Sequence, residues 1–155
     1  MQTLEQLEEK YKELGEEIEK FKQEQSKPKT GRWKPRYGDK YFYFSNNGFV
    51  YEAWTDHSLD EHRYVLGNCF QTKKEAEFQA ERLKVIAELK EYASEFVEGE
   101  ENWGIYWSYY QEHIEYDWRT IDKYPVLYFP SKEVVRQAIE AVGEERVKKY
   151  YLGVE

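Results

Sequence analysis

Apolar side chains recur at alternating spacings of three and four along the first 25 residues, which is the pattern of a coiled-coil seam. Pairs such as Glu8 and Lys12 lie one helical turn apart and support the helix. The sequence therefore predicts a coiled-coil helix over residues 1–25 that associates with a second copy, docks onto its own domain or receives another protein. The seam residues, which we expect to carry self-association, are Leu4, Leu7, Tyr11, Leu14, Ile18 and Phe21.

After residue 40 the apolar pattern changes to alternation, which is typical of strands. Tyr41 to Phe44 and Phe49 to Trp54 predict two strands of a hairpin. The sequence Asn46-Asn47-Gly48 between them predicts a tight turn, because the favoured hairpin turns need residues that accept positive φ.

The hairpin is followed by a predicted third strand and a helix. Asp56 to Glu61 is polar and acidic and predicts a loop, whereas Arg63 to Phe70 predicts the strand. Thr72 and Glu75 form a capping box, from which a helix is expected to run to about Phe96. The predicted inward face of this helix consists of Ala76, Leu83, Ile86 or Ala87, and Leu89 or Ala93.

The same order of elements is predicted a second time. Strands are expected at Trp103 to Tyr109, at His113 to Trp118 and at Pro125 to Phe129. A helix capped by Ser131 follows and is expected to end at Gly143, with a short helical restart after it.

A duplication accounts for this repeated order. Tyr41-Phe42-Tyr43 matches Ile105-Tyr106-Trp107 at an offset of 64 residues. At the same offset Trp54 matches Trp118, which predicts that the two tryptophans are counterparts in the core. The offset falls to 59 where each copy enters its helix, so the second copy is expected to have a shorter middle loop.

Together these elements predict an α+β fold, in which antiparallel strands carry helices on one side. The predicted organisation is a coiled-coil helix at 1–25, a basic linker at 26–40, a first module at 41–97 and a second module at 102–155. Each module contains a hairpin, a third strand and a helix. The pattern leaves open whether the modules share one sheet.

The composition narrows the class of protein. With 40% hydrophobic and 35% charged residues, the chain is globular rather than disordered. A net charge of -8 argues against a protein whose whole surface grips nucleic acid, although it fits one that imitates a polyanion. The single cysteine excludes an internal disulfide and no apolar run reaches the length of a membrane span, so we expect a cytoplasmic protein with no membrane partner.

One basic tract interrupts the acidic chain between residues 27 and 40. Its cations are interleaved with Trp33 and Tyr37, which predicts phosphate contacts and base stacking. The alternative is a solvated linker whose Trp33 covers the edge of the core. The binding candidates are Lys29, Arg32, Trp33, Lys34, Arg36 and Tyr37 in the tract, and Tyr51, Tyr109 and Tyr110 on the aromatic strand faces.

Catalytic and metal chemistry find little support in the sequence. Two histidines and three carboxylates lie close together, but their spacing matches no recognised ligand motif and a solvated loop is the simpler interpretation. Cys69 lies in an apolar run, which predicts a buried and inert thiol. We therefore predict no catalytic residue, no metal and no cofactor. The residues considered as ligands are Asp56, His57, Asp60, Glu61 and His62.

The chain contains the segments Trp33-Lys34-Pro35, Tyr41-Phe42-Tyr43 and Gly67-Asn68-Cys69-Phe70. Together with further short segments, they resemble a family of small accessory proteins of phages and prophages of Firmicutes. The resemblance covers about residues 33 to 152 and brings with it no known catalytic residue. It implies a protein that binds host machinery, including counter-defence factors. The further segments are Gly38, Arg63, Glu75-Ala76-Glu77, Ala141 to Arg146 and Lys148 to Tyr151.

Three functional hypotheses follow. The first is a non-enzymatic phage accessory protein that binds a host protein, in its sharpest form an inhibitor such as an anti-CRISPR whose acidic surface imitates nucleic acid. The second is a nucleic-acid-binding accessory protein that uses the basic tract. The third is a protein that holds a small ligand, such as a nucleotide signal, between the two modules.

Overall fold

The computed structural model describes residues 4–26, 31–46 and 48–155. It divides into two compact units, Met1–Trp33 and Lys34–Glu155. The first unit contains helix α1, Leu4–Ser26, so the predicted N-terminal helix is confirmed. The side chains of Leu4 and Phe21 lie outside the described part. The described seam residues Leu7, Tyr11, Leu14 and Ile18 are all exposed.

The first hairpin of the second unit has the predicted form. Strands β1, Lys40–Ser45, and β2, Gly48–Ala53, pair antiparallel with Ser45 opposite Gly48. Gly48 has a φ of 112°, a conformation that glycine adopts without strain. Asn47, the centre of the predicted turn, lies outside the described residues.

The predicted loop and third strand after this hairpin are wrong. Helix α2 occupies Ser58–Val65, and its N-cap His57 forms a capping box with Asp60. Gly67, with a φ of 77°, follows the C-cap and donates its N–H to the carbonyl of Tyr64, which ends the helix in the usual left-handed turn. Capping chemistry at both ends therefore outweighs the weak strand pattern of residues 63–70.

Only one residue of the predicted third strand pairs with the hairpin. Phe70 exchanges two backbone hydrogen bonds with Phe42, at 2.8 and 2.9 Å. The side chain of Asn68 extends this pairing, because its amide accepts from the N–H of Phe44 and donates to the carbonyl of the same residue. The Asn68 amide thus has a structural role beside β1.

Helix α3 begins as predicted and ends earlier. It spans Lys73–Lys90, with Thr72 and Glu75 forming the predicted capping box. Its buried face consists of Ala76, Val85 and Leu89. Leu83, which was predicted to face inward, is exposed. The chain then turns through residues 91–93, where Ser94 pairs with Tyr128 in place of the expected helix to Phe96.

The second hairpin consists of β3, Asn102–Ser108, and β4, His113–Arg119, which pair antiparallel as predicted. The strand predicted after it is reduced to isolated bridges, including one between Phe129 and Trp103. Ser131 caps α4, Lys132–Val142, as predicted. After Gly143 the chain restarts as α5, Glu144–Arg146, and a π-helical turn, Val147–Tyr151.

The strands of the described residues form two separate two-stranded sheets, and the α+β fold is confirmed. A core cluster lies between α3, the second hairpin and the C-terminal helices, so a helix of the first module completes the core of the second. Its members are Val85, Leu89, Ile105, Ile114, Phe129, Val135, Ala138, Val142 and Val147.

The two copies are related by a different register from the one that the sequence match predicts. In each copy, the residue two positions before the helix N-cap forms a bridge to the first strand: Phe70 bridges to Phe42, and Phe129 bridges to Trp103. Phe42 and Trp103 are therefore counterparts. The sequence match differs from this register by three residues, and an odd shift exchanges the two faces of a strand. The predicted equivalence of Trp54 and Trp118 is therefore wrong: Trp54 is 1% exposed and Trp118 is 43% exposed.

Candidate binding site

A groove lies on the outer face of the second hairpin. Strand pairing places Gly104 opposite Asp117 and Tyr106 opposite Glu115, and side chains at paired positions share a face. The opposite face carries Ile105 and belongs to the core. The groove has a volume of about 170 Å³. We call it the hairpin groove, and define it by Gly104, Tyr106, Asp117, Arg119, Tyr124 and Val126; Ile105 and Tyr128 complete its lining.

The segment after β4 forms the second wall of the hairpin groove. It is held in place where Phe129 and Trp103 exchange backbone hydrogen bonds of 3.0 and 2.8 Å. Within the segment, the hydroxyl of Tyr128 accepts a 2.6 Å hydrogen bond from the N–H of Tyr124. These bonds place Tyr124 and Val126 against the outer face of the hairpin while both side chains stay exposed.

Gly104 keeps the floor of the hairpin groove open. A Cβ atom at this position would lie 4.0 Å from Cγ2 of Val126, which is an ordinary van der Waals contact. A small side chain would therefore fit without strain, whereas a large one would fill the groove. The glycine is a point at which the groove can be closed by substitution.

One ion pair lies at the edge of the hairpin groove. Arg119 donates to Asp117 over 2.6 Å, and this hydrogen bond, with a second from the N–H of Trp118, lowers the pKa of the Asp117 carboxyl. The same contact raises the pKa of Arg119. The groove thus combines tyrosine rings with a charged pair at its edge, an arrangement that suits an apolar or aromatic side chain with a polar end.

The tip of the second hairpin is strongly aromatic and exposed. Tyr109 is 81% and Tyr110 is 95% exposed. They belong to the turn that Glu112 closes with a φ of 55°. Both were predicted as binding candidates. Tyr51, the third such aromatic, is exposed on the first hairpin, where its ring lies near Phe42 and Lys40.

Residues of the basic tract have different environments. The amino group of Lys34 lies 2.8 Å from Glu61 and over the rings of Trp54 and Tyr64, and the hydrogen bond to Glu61 raises its pKa. Lys34 is therefore a packing residue of the second unit. Of the remaining candidates, Arg36 and Tyr37 are exposed in the second unit, Arg32 is exposed and Trp33 half-buried in the first, and Lys29 lies outside the described residues.

A polar cluster that sequence reasoning missed joins α2 to the first hairpin. Asp60 is 3% exposed and accepts hydrogen bonds from the Tyr41 hydroxyl at 2.7 Å and from both the N–H and the hydroxyl of Thr55 at 2.9 Å. Burial opposes the charge of Asp60, but these donors outweigh it and lower its pKa. Burial raises the pKa of Tyr41 well above its usual range.

Arg63 extends the cluster to the second strand. It donates to the Tyr41 hydroxyl at 2.7 Å and to Glu52 at 2.6 Å, and its guanidinium lies 3.7 Å from the centre of the Tyr43 ring. The hydrogen bond from Arg63, with another from Tyr43, lowers the pKa of Glu52. The charged groups of this cluster are directed at one another, so their role is to attach α2 to the hairpin.

The residues considered for metal binding extend from Asp56, before α2, to His62 in its last turn, and Asp60 among them is already occupied by donors. Within residues 4–26, 31–46 and 48–155, no three His, Cys, Asp or Glu side chains come together as metal ligands. Cys69 is buried, as predicted. In the same part of the chain, no helix combines the length and apolar character needed to cross a bilayer.

The groove residues Tyr106, Tyr124 and Val126 were not among the sequence candidates. Alternation along β3 could have assigned Tyr106 to the outer face, since it is paired with a charged residue. Tyr124 and Val126 carried no such pattern, because they belong to an irregular segment whose position depends on the bridge at Phe129.

Comparison of the chain with protein-family models, with curated protein sequences and with solved structures finds no match. The resemblance to accessory phage proteins therefore stays a prediction.

Proposed function

We propose that the protein is a non-enzymatic binding protein that docks onto another protein through the hairpin groove and the adjoining tyrosine tip, and that it self-associates through α1. The observation that carries this proposal is the exposed aromatic surface of the second hairpin. The resemblance to accessory phage proteins supports a bacterial host protein as the partner and the host cytoplasm as the location.

The residue types on this surface favour protein binding. Tyrosine and arginine dominate the energetically important positions of protein interfaces, because they combine a large apolar area with a hydrogen-bonding group. Tyr106, Tyr124 and Arg119 supply these groups around the hairpin groove, and Tyr109 and Tyr110 add two exposed rings at the turn end of the same hairpin. A partner side chain that enters the groove would cover apolar area that water now contacts.

The distribution of shifted pKa values supports binding over catalysis. A catalytic acid or base needs a free proton-transfer position that faces a substrate. Asp60, Glu52 and Arg63 instead satisfy one another and the two tyrosine hydroxyls of the first hairpin. The Asp117–Arg119 pair at the hairpin groove has its charges matched in the same way.

Counter-defence inhibition is the sharper form of the proposal. The net charge of -8 supports an acidic surface that competes with nucleic acid for a host nuclease complex. Such competition depends on charge and weakens steeply as salt rises. A partner held by the tyrosine surface alone would remain bound in high salt.

The experiment is capture of partners from a Firmicutes lysate with the tagged full chain, after nuclease treatment, at low and then higher salt. We expect one stoichiometric host protein with the wild type. The double variant Tyr106→Ser with Tyr124→Ser should capture at most about one-tenth of the amount of this partner. Truncation of a tyrosine at the centre of an interface lowers the binding free energy by about 2 kcal/mol or more. Tyr37→Ser, which changes an exposed tyrosine outside the groove, is the matched control.

Two results would contradict the proposal. The first is full retention of the same partner by the double variant, with folding of both proteins verified by circular dichroism. The second is co-purification of nucleic acid that leaves with nuclease or salt, together with its loss in the double variant Arg32→Ala with Arg36→Ala. That result would establish the basic-tract hypothesis instead.

A specific cavity supports small-ligand binding as a second candidate function. A depression of about 450 Å³ lies between α3 of the first module and the second module. Arg82 and Ile86 approach it from α3, and Leu127 and Tyr151 from the other side. An anionic ligand such as a nucleotide would place its charge at Arg82. Thermal shift with nucleotides tests this, and we expect a rise in Tm that Arg82→Ala removes.

A further inference from the structure

The apolar seam of α1 has an internal symmetry. Leu7 and Ile18 lie equally far from the midpoint between residues 12 and 13, and Tyr11 and Leu14 do the same. All four side chains are exposed, from 47% at Ile18 to 81% at Tyr11. An exposed stripe of this kind is stabilised when a complementary surface covers it.

We propose that α1 pairs with α1 of a second copy in antiparallel orientation, centred on this midpoint. The proposal rests on the self-association proposed above and adds its geometry. Antiparallel pairing sets Leu7 against Ile18 of the second copy, and Tyr11 against Leu14 of the second copy. A two-fold axis through the midpoint repeats both contacts, as a closed symmetric dimer requires.

The sizes of the seam residues favour this orientation. A parallel pair sets identical positions against each other, so the two Tyr11 rings would share one layer and two leucines the next. Antiparallel pairing instead gives every layer of the described seam one residue from each half of the helix, and each Tyr11 ring meets the smaller Leu14. The layers then have similar widths, which allows even packing along the helix.

Charges beside the seam agree with the antiparallel orientation. Lys10 and Glu17 both lie next to the seam on the same edge of α1, on either side of the midpoint. Antiparallel pairing brings Lys10 near Glu17 of the second copy, and symmetry forms this pair twice. In a parallel pair, Lys10 would lie opposite the uncharged Gly15 and Glu17 opposite Lys22, so only the antiparallel orientation makes Lys10 a member of an ion pair.

Disulfide trapping in the full-length chain tests the orientation. Two variants are made, and both contain Cys69→Ala, which removes the buried native thiol. One of them also contains Leu7→Cys and the other Ile18→Cys. We expect oxidation of an equal mixture to give mainly the disulfide between position 7 of one copy and position 18 of the other. Each variant alone should stay largely unlinked, because in the antiparallel pair its own two cysteines lie roughly 16 Å apart along the helix, beyond disulfide reach.

Charge exchange supplies a second measurement that leaves the apolar seam intact. Lys10→Glu should raise the dissociation constant of the dimer about five-fold, because two attractive pairs become repulsive. Adding Glu17→Lys to the same chain should restore wild-type association. Light scattering over a range of concentrations measures both, starting from a monomer mass of 18.9 kDa.

The outcomes distinguish failure of self-association from failure of the antiparallel orientation. A chain that remains monomeric at every concentration overturns self-association and orientation together. A dimer that links position 7 to position 7 retains self-association and overturns the antiparallel orientation. A dimer that Lys10→Glu weakens and Glu17→Lys does not restore also overturns it.

Discussion

The two hairpins have the same topology and differ in what covers the corresponding face. When Phe42 is superposed on Trp103, the face that carries Tyr41 and Tyr43 corresponds to the face that carries Gly104. In the first copy α2 lies on this face and attaches to it through Asp60 and Arg63. In the second copy the face is lined only in part and forms the hairpin groove.

The length of the connection explains this difference. The first copy places residues 54–69 between its hairpin and the bridging phenylalanine, and the eight-residue helix α2 lies within that stretch. The second copy has only residues 120–128 there, which form no helix. Because no helix forms in this shorter connection, one face of the second hairpin stays exposed, while its other face packs in the core. The two copies thus bury the corresponding face in one case and leave it partly exposed in the other.

The largest expected contrast is between two tryptophans. Trp54→Ala should lower the free energy of unfolding by about 4 kcal/mol, because it removes a fully buried ring that packs edge-on against Tyr41 and Tyr64. Trp118→Ala should cost about 1 kcal/mol or less, the value of a partly exposed cross-strand pair. Denaturant unfolding measures both, and equal costs would mean that the two positions are equivalent after all.

The next contrast compares two aspartates. Asp60→Ala should cost about 3 kcal/mol, because it leaves the buried Tyr41 hydroxyl and both the N–H and the hydroxyl of Thr55 without their acceptor. Asp117→Ala removes an exposed ion pair on the second hairpin and should change Tm little. Chemical unfolding of the two variants provides the test. A small loss in Asp60→Ala would show that α2 is held by apolar contacts instead.

A smaller contrast is expected in how Tm falls with pH, to which the buried cluster of the first copy contributes through Asp60 and Glu52. Asp60 and Glu52 have lowered pKa values in the folded state, so the unfolded chain binds more protons as the pH falls. Their stabilisation is complete well above the ordinary carboxyl range near pH 4, and is lost as the pH falls through the lower folded values. We expect Tm to fall across this range, and to fall less in Asp60→Asn. An identical pH profile in that variant would exclude Asp60 as a source of acid sensitivity.

The smallest expected contrast is between the two helix caps. Thr72→Ala and Ser131→Ala each remove a side-chain acceptor for a backbone N–H in the first turn, and each should cost about 1 kcal/mol. Thr72 also belongs to a capping box, which makes its loss slightly larger. Replacing Thr72 by Ser keeps the acceptor and is the control. A large difference between the two caps would mean that the helices contribute unequally to the fold.

Local chemistry made much of the fold predictable. The alternating pattern identified both hairpins, and Thr72 with Glu75 located the start of α3. The same rules, applied to residues 56–70, led to a loop and a strand where α2 forms. The strand pattern there was weak. The local pattern that predicts α2 is the capping box of His57 and Asp60, which the sequence analysis did not use.

The proposed binding surface was predictable only in part. Tyr109 and Tyr110 were predicted as exposed candidates on an aromatic strand face, and both are exposed, although the structure places them in the turn after β3. The hairpin groove requires Tyr124 to approach a strand that lies earlier in the chain, and no periodicity records such an approach. Its position is set by the bridge between Phe129 and Trp103.

By itself the sequence determined the two hairpins and the starts of α1, α3 and α4, because caps, turns and periodicity act over three or four neighbouring residues. Tertiary structure alone decided the register between the two copies, the exposure of Trp118 against the burial of Trp54, and the cover of one hairpin face by α2. The physical reason is that burial depends on residues far apart in the chain. A shift of three positions, which changes little in a local pattern, exchanges the buried and exposed faces of a strand.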